Sequence, residues 1–314
     1  MKNIALAADL GGTNLRMAAI SEEGKILFCA RRETPSTKNA EQILQTIIES
    51  AEECRRAVIN QGEVFAISAA VPGTVNAGEG LILNAPNIPA LNNYYVSEKI
   101  KNELRLPCIL ENDANAAAVG ENWLGASKDF QNSICITLGT GVGGGIILDG
   151  KVMRGIDGTA GEIGHICVEP FGIPCGCGSN GCLEQYASAT AVVRLTRNLI
   201  GNYPKSDLNG KDPLTSLKIY EAGKSGDALA LEVFRQQGFF LGIVLAGLIN
   251  VLNPEVIVIG GGAAAGWDLF VPSMIEQINK RAYKEPAERA KVVRAELGDD
   301  AGILGAARLA FNNF

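Results

Sequence analysis

The sequence contains a single histidine, and this scarcity limits the chemistry that the chain can perform. His165 lies in a segment, residues 161–184, that also holds Cys175, Cys177 and Cys182. If His165 is a metal ligand, general-base catalysis at neutral pH falls to a carboxylate, because no second imidazole exists. The same reasoning excludes a Ser-His-Asp or Cys-His device unless the metal assignment fails.

Basic runs are missing from the sequence, and neither a membrane-spanning apolar run nor a secretory leader is expected. The net charge of -6, without clustered lysine and arginine, argues against a nucleic-acid surface. No apolar run is expected to be long enough to span a bilayer, and the N-terminus, broken by Asp9, is expected to be a first strand and not a signal peptide. The cysteines outside residues 161–184, together with Cys167, are expected to be buried free thiols of a cytoplasmic protein; they are Cys29, Cys54, Cys108, Cys135 and Cys167.

The histidine and its three neighbouring cysteines are typical of a zinc site, because imidazole and thiolate are the ligands that zinc prefers. Gly176, Gly178 and Gly181 are expected to let the backbone wrap closely around a metal. The alternative is three unrelated thiols and a hydrogen-bonded histidine. A closed Cys3His shell leaves no open coordination position, so the predicted zinc is structural.

The pattern of apolar residues predicts an α/β protein. The chain has 314 residues, of which 47% are apolar, and this length and composition indicate two domains. Short apolar runs predict strands over 4–10, 16–20, 25–31, 64–70, 107–110 and 255–259. Helical spacing predicts helices over 40–60, 95–104, 187–200, 214–222, 227–252 and 301–311, and an alanine-rich helix after Asp113.

The first strand ends in a glycine turn that could bind phosphate. Gly11 and Gly12 expose backbone N–H groups, and Thr13 and Asn14 follow them. Asp9, at the end of the strand, could hold Mg2+ through water. The alternative is a tight hairpin that needs glycine for a positive φ.

Residues 133–153 repeat this pattern of strand, glycine turn and strand, with the second turn at Gly139, Thr140 and Gly141. The repetition predicts duplicated halves that face each other across a cleft. Gly139, Gly141 and Gly144 also match G-x-G-x-x-G. The pattern continues as a strand, however, whereas a dinucleotide fingerprint opens a helix.

A third glycine run, Gly260, Gly261 and Gly262, follows the strand 255–259 and suits close approach of an adenosine or ribose. With Ala265 it matches G-x-G-x-x-A before a helix, which is the stronger indication of a dinucleotide site. A conventional Rossmann domain needs several more β-α units after this point, and too little chain remains.

Asp113 lies where the strand 107–110 gives way to the alanine-rich helix. Its carboxylate could cap that helix, which stabilises by about 0.5–2 kcal/mol. It could instead face a cleft and act as the general base. We favour the general base, because the single histidine is assigned to the metal.

A series of motifs runs along essentially the whole chain: Asp9-Leu10-Gly11-Gly12-Thr13, Glu111-Asn112-Asp113, Leu138 to Gly145, Glu162-Ile163-Gly164-His165, C-x-C-G-x-x-G-C-L-E ending at Glu184, and Gly260 to Gly262. In these motifs the chain resembles sugar kinases of the ROK (repressor, open reading frame, kinase) family. The resemblance implies the two-domain actin-like ATPase/hexokinase (ribonuclease H-like) fold with a cleft between the domains. The smaller domain is expected to comprise 1–115 plus 300–314, and the larger 116–299, with a zinc loop at 161–184.

The resemblance implies ATP-dependent phosphorylation of a hexose C6 hydroxyl, with Asp113 as the general base and with Mg2+ and structural Zn2+. The residues that match the family's sugar ligands are Asn112, Asp113, Glu162, His165 and Glu184, and Gly73 and Asn87 lie in loops that approach the same sugar. The implied nucleotide ligands are Asp9, Gly11, Gly12, Thr13, Asn14, Gly139, Thr140, Gly141, Gly261 and Gly262. His165 is implied to bind zinc through one ring nitrogen and a sugar hydroxyl through the other.

The choice of hexose stays open in the sequence. Pro86-Asn87-Ile88-Pro89-Ala90-Leu91 lacks the Gly-Trp that many family glucokinases have in this loop, which weakens the assignment to glucose. Glucose is still the first candidate, and N-acetylmannosamine or N-acetylglucosamine is next. A sugar-responsive repressor is disfavoured, because no N-terminal helix-turn-helix is expected before the first strand. A nicotinamide-dependent oxidoreductase and a non-catalytic sugar-binding protein are the remaining alternatives. The resemblance further implies a homodimer. The acidic charge and the expected lack of a membrane-spanning run predict that there is no nucleic-acid or membrane partner.

Overall fold

A computed structural model describes residues 2–37, 39–210 and 213–314. The chain forms two compact units. The first comprises Met1–Gln131, Gly145–Gly161 and Glu296–Phe314, and the second comprises Asn132–Gly144 and Glu162–Ala295.

Short runs of strands and of helices follow one another along the chain, which is a mixed α/β content as expected. The strands are β1 (Asn3–Leu10), β2 (Asn14–Ser21), β3 (Ile26–Glu33), β4 (Glu63–Val71), β5 (Thr74–Asn76), β6 (Leu81–Asn84), β7 (Tyr94–Tyr95), β8 (Cys108–Asn112), β9 (Ser133–Leu138), β10 (Val142–Leu148), β11 (Lys151–Val152), β12 (Val256–Gly260) and β13 (Lys291–Arg294). The helices are α1 (Ala40–Ala57), α2 (Val96–Leu104), α3 (Asp113–Leu124), α4 (Glu184–Ala187), α5 (Ala189–Leu199), α6 (Ser216–Lys224), α7 (Ala228–Leu252), α8 (Trp267–Arg281), α9 (Lys284–Arg289) and α10 (Ala301–Asn313).

The first unit is built on a five-stranded sheet with the order β3-β2-β1-β4-β8. The pairs β1/β2 and β2/β3 are antiparallel, whereas β1/β4 and β4/β8 are parallel. Strand β1 is buried on both faces: Ile4 and Leu6 join the cluster that contains α1, and Ala5 and Ala7 join the cluster that contains α10. Burial on both faces explains why this strand reads as a continuous apolar run.

The second five-stranded sheet has the order β11-β10-β9-β12-β13. In each sheet the strand that comes first in the chain, β1 or β9, lies at the centre. The next two strands of the chain follow on one side of it, and two later, parallel strands lie on the other side. The predicted sequence repeat is therefore confirmed as a repeat of topology. One of the boundaries between the compact units falls within β10, between residues 144 and 145.

Helix α7 corrects one expectation from the sequence. Its 25 residues are long and apolar enough to cross a membrane by length and composition, although no such run was expected. Of its most apolar window, 56% is buried within the protein. Gly238 and Gly242 lie against the backbone of α8, where a Cβ would lie 2.0 Å from the Phe270 carbonyl oxygen and 2.5 Å from that of Met274. This packing is that of a core helix, and it explains the apolar composition.

The predicted helices are confirmed, with boundary shifts of a few residues. Asp227 caps α7 by accepting from the Ala230 N–H at 2.9 Å, so this helix begins at Ala228. No bounds were predicted for α8, which contains Pro272. The compact units group α3 and residues 145–161 with the N-terminal strands. The domain boundaries implied by the family resemblance stay a prediction.

Candidate active site

The first glycine turn joins β1 to β2. The Gly11 N–H donates to the Asn14 carbonyl at 2.7 Å, and the Thr34 hydroxyl donates to the Gly11 carbonyl at 2.7 Å. The turn does join two antiparallel strands, but neither Gly11 nor Gly12 is among the described glycines with positive φ, so the alternative that glycine is needed there for a positive φ is wrong. A Cβ on Gly12 would lie 3.1 Å from the Cβ of Asn87. Glycine at this position therefore lets the predicted sugar loop approach the turn.

Asp9 faces Arg16 across the β1/β2 pair. Burial raises the pKa of the Asp9 carboxyl, Arg16 lowers it, and Asp299 raises it. The Arg16 guanidinium bonds to the Asp300 carboxylate at 2.6 Å and to the Asp299 carbonyl at 2.5 Å. A Cβ on Gly302 would lie 3.7 Å from the Asp9 carboxylate, so the first turn of α10 adjoins it. A cation near Asp9 would stabilise its ionised form.

Asn112, and not Asp113, caps α3, which corrects the N-cap alternative. The Asn112 side-chain oxygen accepts from the N–H groups of Ala114 at 2.9 Å and Asn115 at 3.0 Å. Asp113 is the first residue of the helix and is exposed. Its Oδ1 accepts from the Ala114 N–H at 2.8 Å and from Asn112 Nδ2 at 3.2 Å. The cap and the acidic side chain are thus supplied by neighbouring residues.

Gly73 lies against the same turn. Asn112 Nδ2 donates to the Gly73 carbonyl at 2.9 Å. Gly73 has a φ of 121°, and a Cβ there would lie 2.2 Å from the Asn84 carbonyl oxygen. Only glycine fits this position, because both the backbone conformation and the space exclude a side chain.

The ion pair of Glu111 and Arg154, which lies behind this turn, was not predicted from the sequence. Glu111 is 1% exposed, and its carboxylate accepts from Arg154 Nε at 2.7 Å. It also accepts from the Asn112 N–H and from Asn115 Nδ2, each at 3.1 Å. These bonds hold the residue that precedes Asp113. No local pattern could have identified the pair, since Arg154 is 43 residues from Glu111.

The predicted residues of the first unit lie at one edge of its sheet. Asp9 pairs with Ala70, and Ala70 pairs with Glu111, so the ends of β1, β4 and β8 are in register. The carboxyl ends of parallel strands are where α/β proteins bind ligands. The structure therefore brings together the first glycine turn, the Gly73 loop and the Asn112-Asp113 turn.

The second glycine turn joins β9 to β10. The Gly139 N–H donates to the Gly141 carbonyl at 3.0 Å, and neither glycine is among those described with positive φ. A Cβ on Gly139 would meet nothing within 4 Å, so this side of the turn is open. A Cβ on Gly141 would lie 2.3 Å from Glu184 Oε2, which also accepts from the Val142 N–H at 3.1 Å. Glycine at 141 lets the Glu184 carboxylate reach the turn.

The third glycine run adjoins this turn, because β9 and β12 are parallel neighbours. Gly261 has a φ of 86°, and a Cβ there would lie 2.4 Å from the Leu138 carbonyl oxygen. Gly262 borders a small, partly open cavity in the second unit. The cavity has a largely apolar lining of Val192, Ser216, Leu217, Tyr220, Phe234, Gly262, Ala263, Ala265 and Gly266. Of these residues the sequence pointed only to Gly262 and Ala265. The others come from α5, α6 and α7 and from the short segment Gly262–Gly266.

The predicted metal ligands form a cluster in the second unit. One ligand atom from each of His165, Cys175, Cys177 and Cys182 lies within 4.8 Å of the others. Cys175 Sγ lies 3.6 Å from His165 Nδ1, and Cys177 Sγ lies 3.6 Å from Cys182 Sγ. A tetrahedral zinc with Zn–S bonds of about 2.3 Å separates its sulfur ligands by about 3.8 Å. The cluster thus fits the metal in ligand type and in spacing.

The thiols of the cluster differ in environment. A hydrogen bond from the Ser179 backbone lowers the pKa of Cys177, whereas burial raises the pKa of Cys182 to about 12. Gln185 Nε2 lies 3.7 Å from Cys175 Sγ as a hydrogen-bond donor. Donors of this kind orient metal ligands from outside the coordination shell.

Two expectations about this segment need correction. Gly178 and Gly181 have positive φ, but Gly176 does not and has open space at its Cβ position, so glycine is not required there. Cys167 is exposed and not buried, because it lies on the surface of the loop, in a β-bridge with Cys182. Cys54 and Cys135 are buried as expected, and Cys29 and Cys108 are partly buried.

The second ring nitrogen of His165 points away from the cysteines. His165 Nε2 lies 4.0 Å from Glu162 Oε2, and the imidazole is half-buried. Glu162, His165 and Glu184 all belong to the second unit, as do the second and third glycine runs. Gly73, Asn87, Asn112 and Asp113 belong to the first unit with Asp9 and the first glycine turn. Each unit thus carries its own set of predicted ligands.

Comparison with known proteins agrees with the motifs. The ROK family matches over residues 5–313. A glucokinase of Halalkalibacterium halodurans is 37% identical over 308 residues, which cover 96% of this chain and 92% of the relative. The solved ROK family glucokinase of Streptomyces griseus, in complex with glucose and AMPPNP, is 35% identical with a TM-score of 0.83, and the match covers 99% of this chain and 100% of that chain.

A regulator of transcription is also similar. The crystal structure of a ROK family transcriptional regulator, a homologue of the E. coli MLC protein, is 31% identical with a TM-score of 0.89, and the match covers 97% of this chain and 77% of that chain. These matches confirm the predicted actin-like ATPase/hexokinase fold class. The chain belongs to the ROK family.

Proposed function

We propose that the protein is an ATP-dependent hexose kinase that phosphorylates the C6 hydroxyl of its sugar, with glucose as the first candidate. Asp113 carries this proposal, because Asn112 caps α3 and the Asp113 carboxylate is exposed beside it at the ligand-binding edge of the sheet. The similar proteins from H. halodurans and S. griseus are named glucokinases, and the latter was solved with glucose and AMPPNP.

Asp113 acts as the general base in this proposal. The sugar hydroxyl loses its proton to the Asp113 carboxylate as its oxygen attacks the γ-phosphorus of ATP, and ADP leaves with the electrons of the broken P–O bond. The buried pair of Glu111 and Arg154 fixes the turn on which Asp113 stands. A base that is already held in position lowers the entropy cost of reaching the reactive geometry.

The sugar would bind residues from both ligand sets. Asn112, Glu162, His165 and Glu184 supply amide, carboxylate and imidazole groups, which suit the alternating donors and acceptors of a polyol. Gly73 and Asn87 would border the same sugar. His165 Nε2 points away from the cysteines and is available for a sugar hydroxyl.

ATP would bind through the glycine turns. Its phosphates would contact the backbone at Gly11, Gly12, Thr13 and Asn14 and at Gly139, Thr140 and Gly141, because such turns expose N–H groups. Its adenosine would lie near Gly261 and Gly262. The cavity beside Gly262, with Tyr220 and Phe234 in its wall, offers an apolar surface for a base.

Two metals belong to the proposal. Asp9 would hold Mg2+ through water, and Mg2+ supplies charge neutralisation to the phosphates when bound. His165, Cys175, Cys177 and Cys182 would hold zinc in a closed, structural shell. Through these four residues a bound zinc would fix the loop that leads from Glu162 to Glu184.

A sugar-responsive regulator is the second candidate, because a ROK transcriptional regulator has the TM-score of 0.89. Such a protein would bind its sugar without turnover. The kinase proposal includes a cytoplasmic location, a homodimer and no nucleic-acid partner. Light scattering tests the dimer.

The kinase proposal is tested by ADP release from the zinc-loaded protein with ATP and Mg2+. The panel of sugars is glucose, mannose, fructose, allose, N-acetylglucosamine and N-acetylmannosamine. We expect glucose to turn over fastest, and a preference for either N-acetylated sugar would move the assignment to that kinase. Sugar binding without turnover of any member would instead favour the regulator.

A further inference from the structure

Residues 184–190 lead from the metal cluster to the second glycine turn and bond to the turn directly. The Thr190 hydroxyl donates to the Thr140 carbonyl at 2.9 Å. The Ala189 N–H donates to the Gly139 carbonyl at 2.9 Å. Two successive carbonyls of the turn are therefore held by the start of α5.

These bonds determine where the N–H groups of the turn point. In a trans peptide the carbonyl and the following N–H point in opposite directions. Fixing the Gly139 and Thr140 carbonyls toward α5 therefore directs the N–H groups of Thr140 and Gly141 away from it. A Cβ on Gly139 would meet nothing within 4 Å, so the turn also has open space around it.

The other end of this segment bonds to the metal cluster. Gln185 Nε2 donates to Cys175 Sγ at 3.7 Å, and Arg194 Nη1 donates to Gln185 Oε1 at 2.9 Å. The Ile173 N–H, within the cysteine loop, donates to the Tyr186 hydroxyl at 3.1 Å. Glu184 follows Cys182 closely in the chain and bonds to the Val142 N–H at 3.1 Å. The segment therefore contacts both the cluster and the turn.

We propose that Thr190 is a positioning residue for the phosphates of ATP, and that residues 184–190 transmit the state of the metal cluster to the turn at Gly139–Gly141. Loss of the metal frees Cys175 and Cys182, loosens the segment between them and α5, and leaves the peptides of the turn less fixed. ATP then binds more weakly even in the absence of sugar. The inference rests on the proposed function, since it takes this turn as the phosphate site.

The first test replaces Thr190 by valine, which has a similar shape and no hydroxyl. We expect the Kd for MgATP, measured by calorimetry without sugar, to rise about three- to tenfold, as for loss of one hydrogen bond. Zinc content and the Kd for glucose should stay unchanged. Thr196→Val is the matched control, because the Thr196 hydroxyl donates to the Val192 carbonyl at 2.8 Å on the same helix, away from the turn. This control should bind MgATP as the unaltered protein does.

The second test compares zinc-loaded and chelator-treated protein, with circular dichroism as a check of folding. We expect metal removal to raise the MgATP Kd at least as much as Thr190→Val does. Unchanged MgATP affinity in Thr190→Val, or in a folded metal-free protein, overturns the inference while the kinase proposal stands. If the metal-free protein unfolds, Thr190→Val decides. Absence of MgATP binding in the unaltered protein rejects the proposed function and this inference with it.

Discussion

At the start of α3, Asn112 and Asp113 have different roles. Asn112 caps the helix with its side-chain oxygen, and Asp113 occupies the first helical position with an exposed carboxylate. The Asn112 oxygen accepts from two N–H groups of the helix, and an asparagine at position 113 would keep the Oδ1 that accepts from the Ala114 N–H. A change of Asp113 to asparagine can therefore be read as a change in chemistry. The proposed general base is thus placed at the start of the helix without replacing the residue that caps it.

Asp113→Asn should keep the fold and sugar binding but lower kcat by about 10²- to 10⁴-fold, the usual contribution of a general base. The asparagine has a similar shape but cannot take the proton. The measurement is kcat and the glucose Kd, with thermal unfolding as a check. A kcat within a few-fold of the unaltered enzyme would remove Asp113 from the role of base.

Cys54 makes stability depend on pH in the alkaline range. Burial raises the pKa of its thiol from 9.0 to about 12. Between these values the unfolded thiol has lost its proton and the folded thiol has kept it, so the unfolded state binds fewer protons. The free energy of unfolding should therefore fall as the pH rises, by about 1.4 kcal/mol per pH unit for one such thiol.

Urea unfolding at pH 8 and pH 10.5 measures this effect. Cys54→Ala is the comparison, since it removes one thiol from the balance. The variant should be less stable at pH 8, because it leaves a small cavity, but should lose less stability on going to pH 10.5. Equal pH dependence in the two proteins would contradict the assignment.

At the scale of elements, glycine sets how closely helices approach. In the first unit, a Cβ on Gly305 of α10 would lie 1.7 Å from the Ala116 carbonyl oxygen of α3. In the second unit, Gly238 and Gly242 play the same part between α7 and α8. The helices could not pack at these distances with any side chain present.

Gly238→Ala should destabilise the protein by about 1–3 kcal/mol, because its Cβ would lie 2.0 Å from the Phe270 carbonyl oxygen. Gly247 provides a control in the same helix, since a Cβ there would meet nothing within 4 Å. Gly247→Ala should stabilise by about 0.5–1 kcal/mol through helix propensity. Denaturant midpoints measure both changes, and a shift of the same sign in both variants would refute the packing explanation.

At the scale of the whole molecule, the first compact unit is assembled from distant parts of the chain. Helix α10 closes the face of the first sheet opposite α1, and Ile303, Leu304 and Ala307 are buried there. Glu121 reinforces this closure, because its buried carboxylate accepts from the N–H groups of Glu296 and Leu297. The unit is therefore complete only when the last segment has been added.

Deletion of residues 296–314 should prevent the first unit from folding. Each buried leucine or isoleucine contributes about 1.5–3 kcal/mol, and the loss of several approaches the whole stability of about 5–15 kcal/mol. Hydrogen exchange at the β1 amides measures the result, and deletion of the exposed residues 312–314 is the control. Protected β1 amides in the longer deletion would show that α10 is dispensable.

The sequence by itself determined the local structure of this protein and the types of residue in its candidate site. Continuous apolar runs specified the buried strands, helical spacing specified the helices, and the closely spaced histidine and three cysteines specified the candidate metal cluster. These signals are local, because each depends on residues that are close in the chain or on a spacing that repeats.

Only the tertiary structure decided which residues meet. The Glu111 and Arg154 pair, the bond from Thr190 to Thr140 and the apolar cavity beside Gly262 join residues far apart in the chain. The tertiary structure also decided that Asn112 and not Asp113 is the cap of α3. The sequence could not decide this, because both side chains are suited to the N-cap position. Tertiary packing and strand register determine which of several suitable residues makes a contact. The free energy of each contact depends on distances in space, and a sequence pattern does not contain those distances.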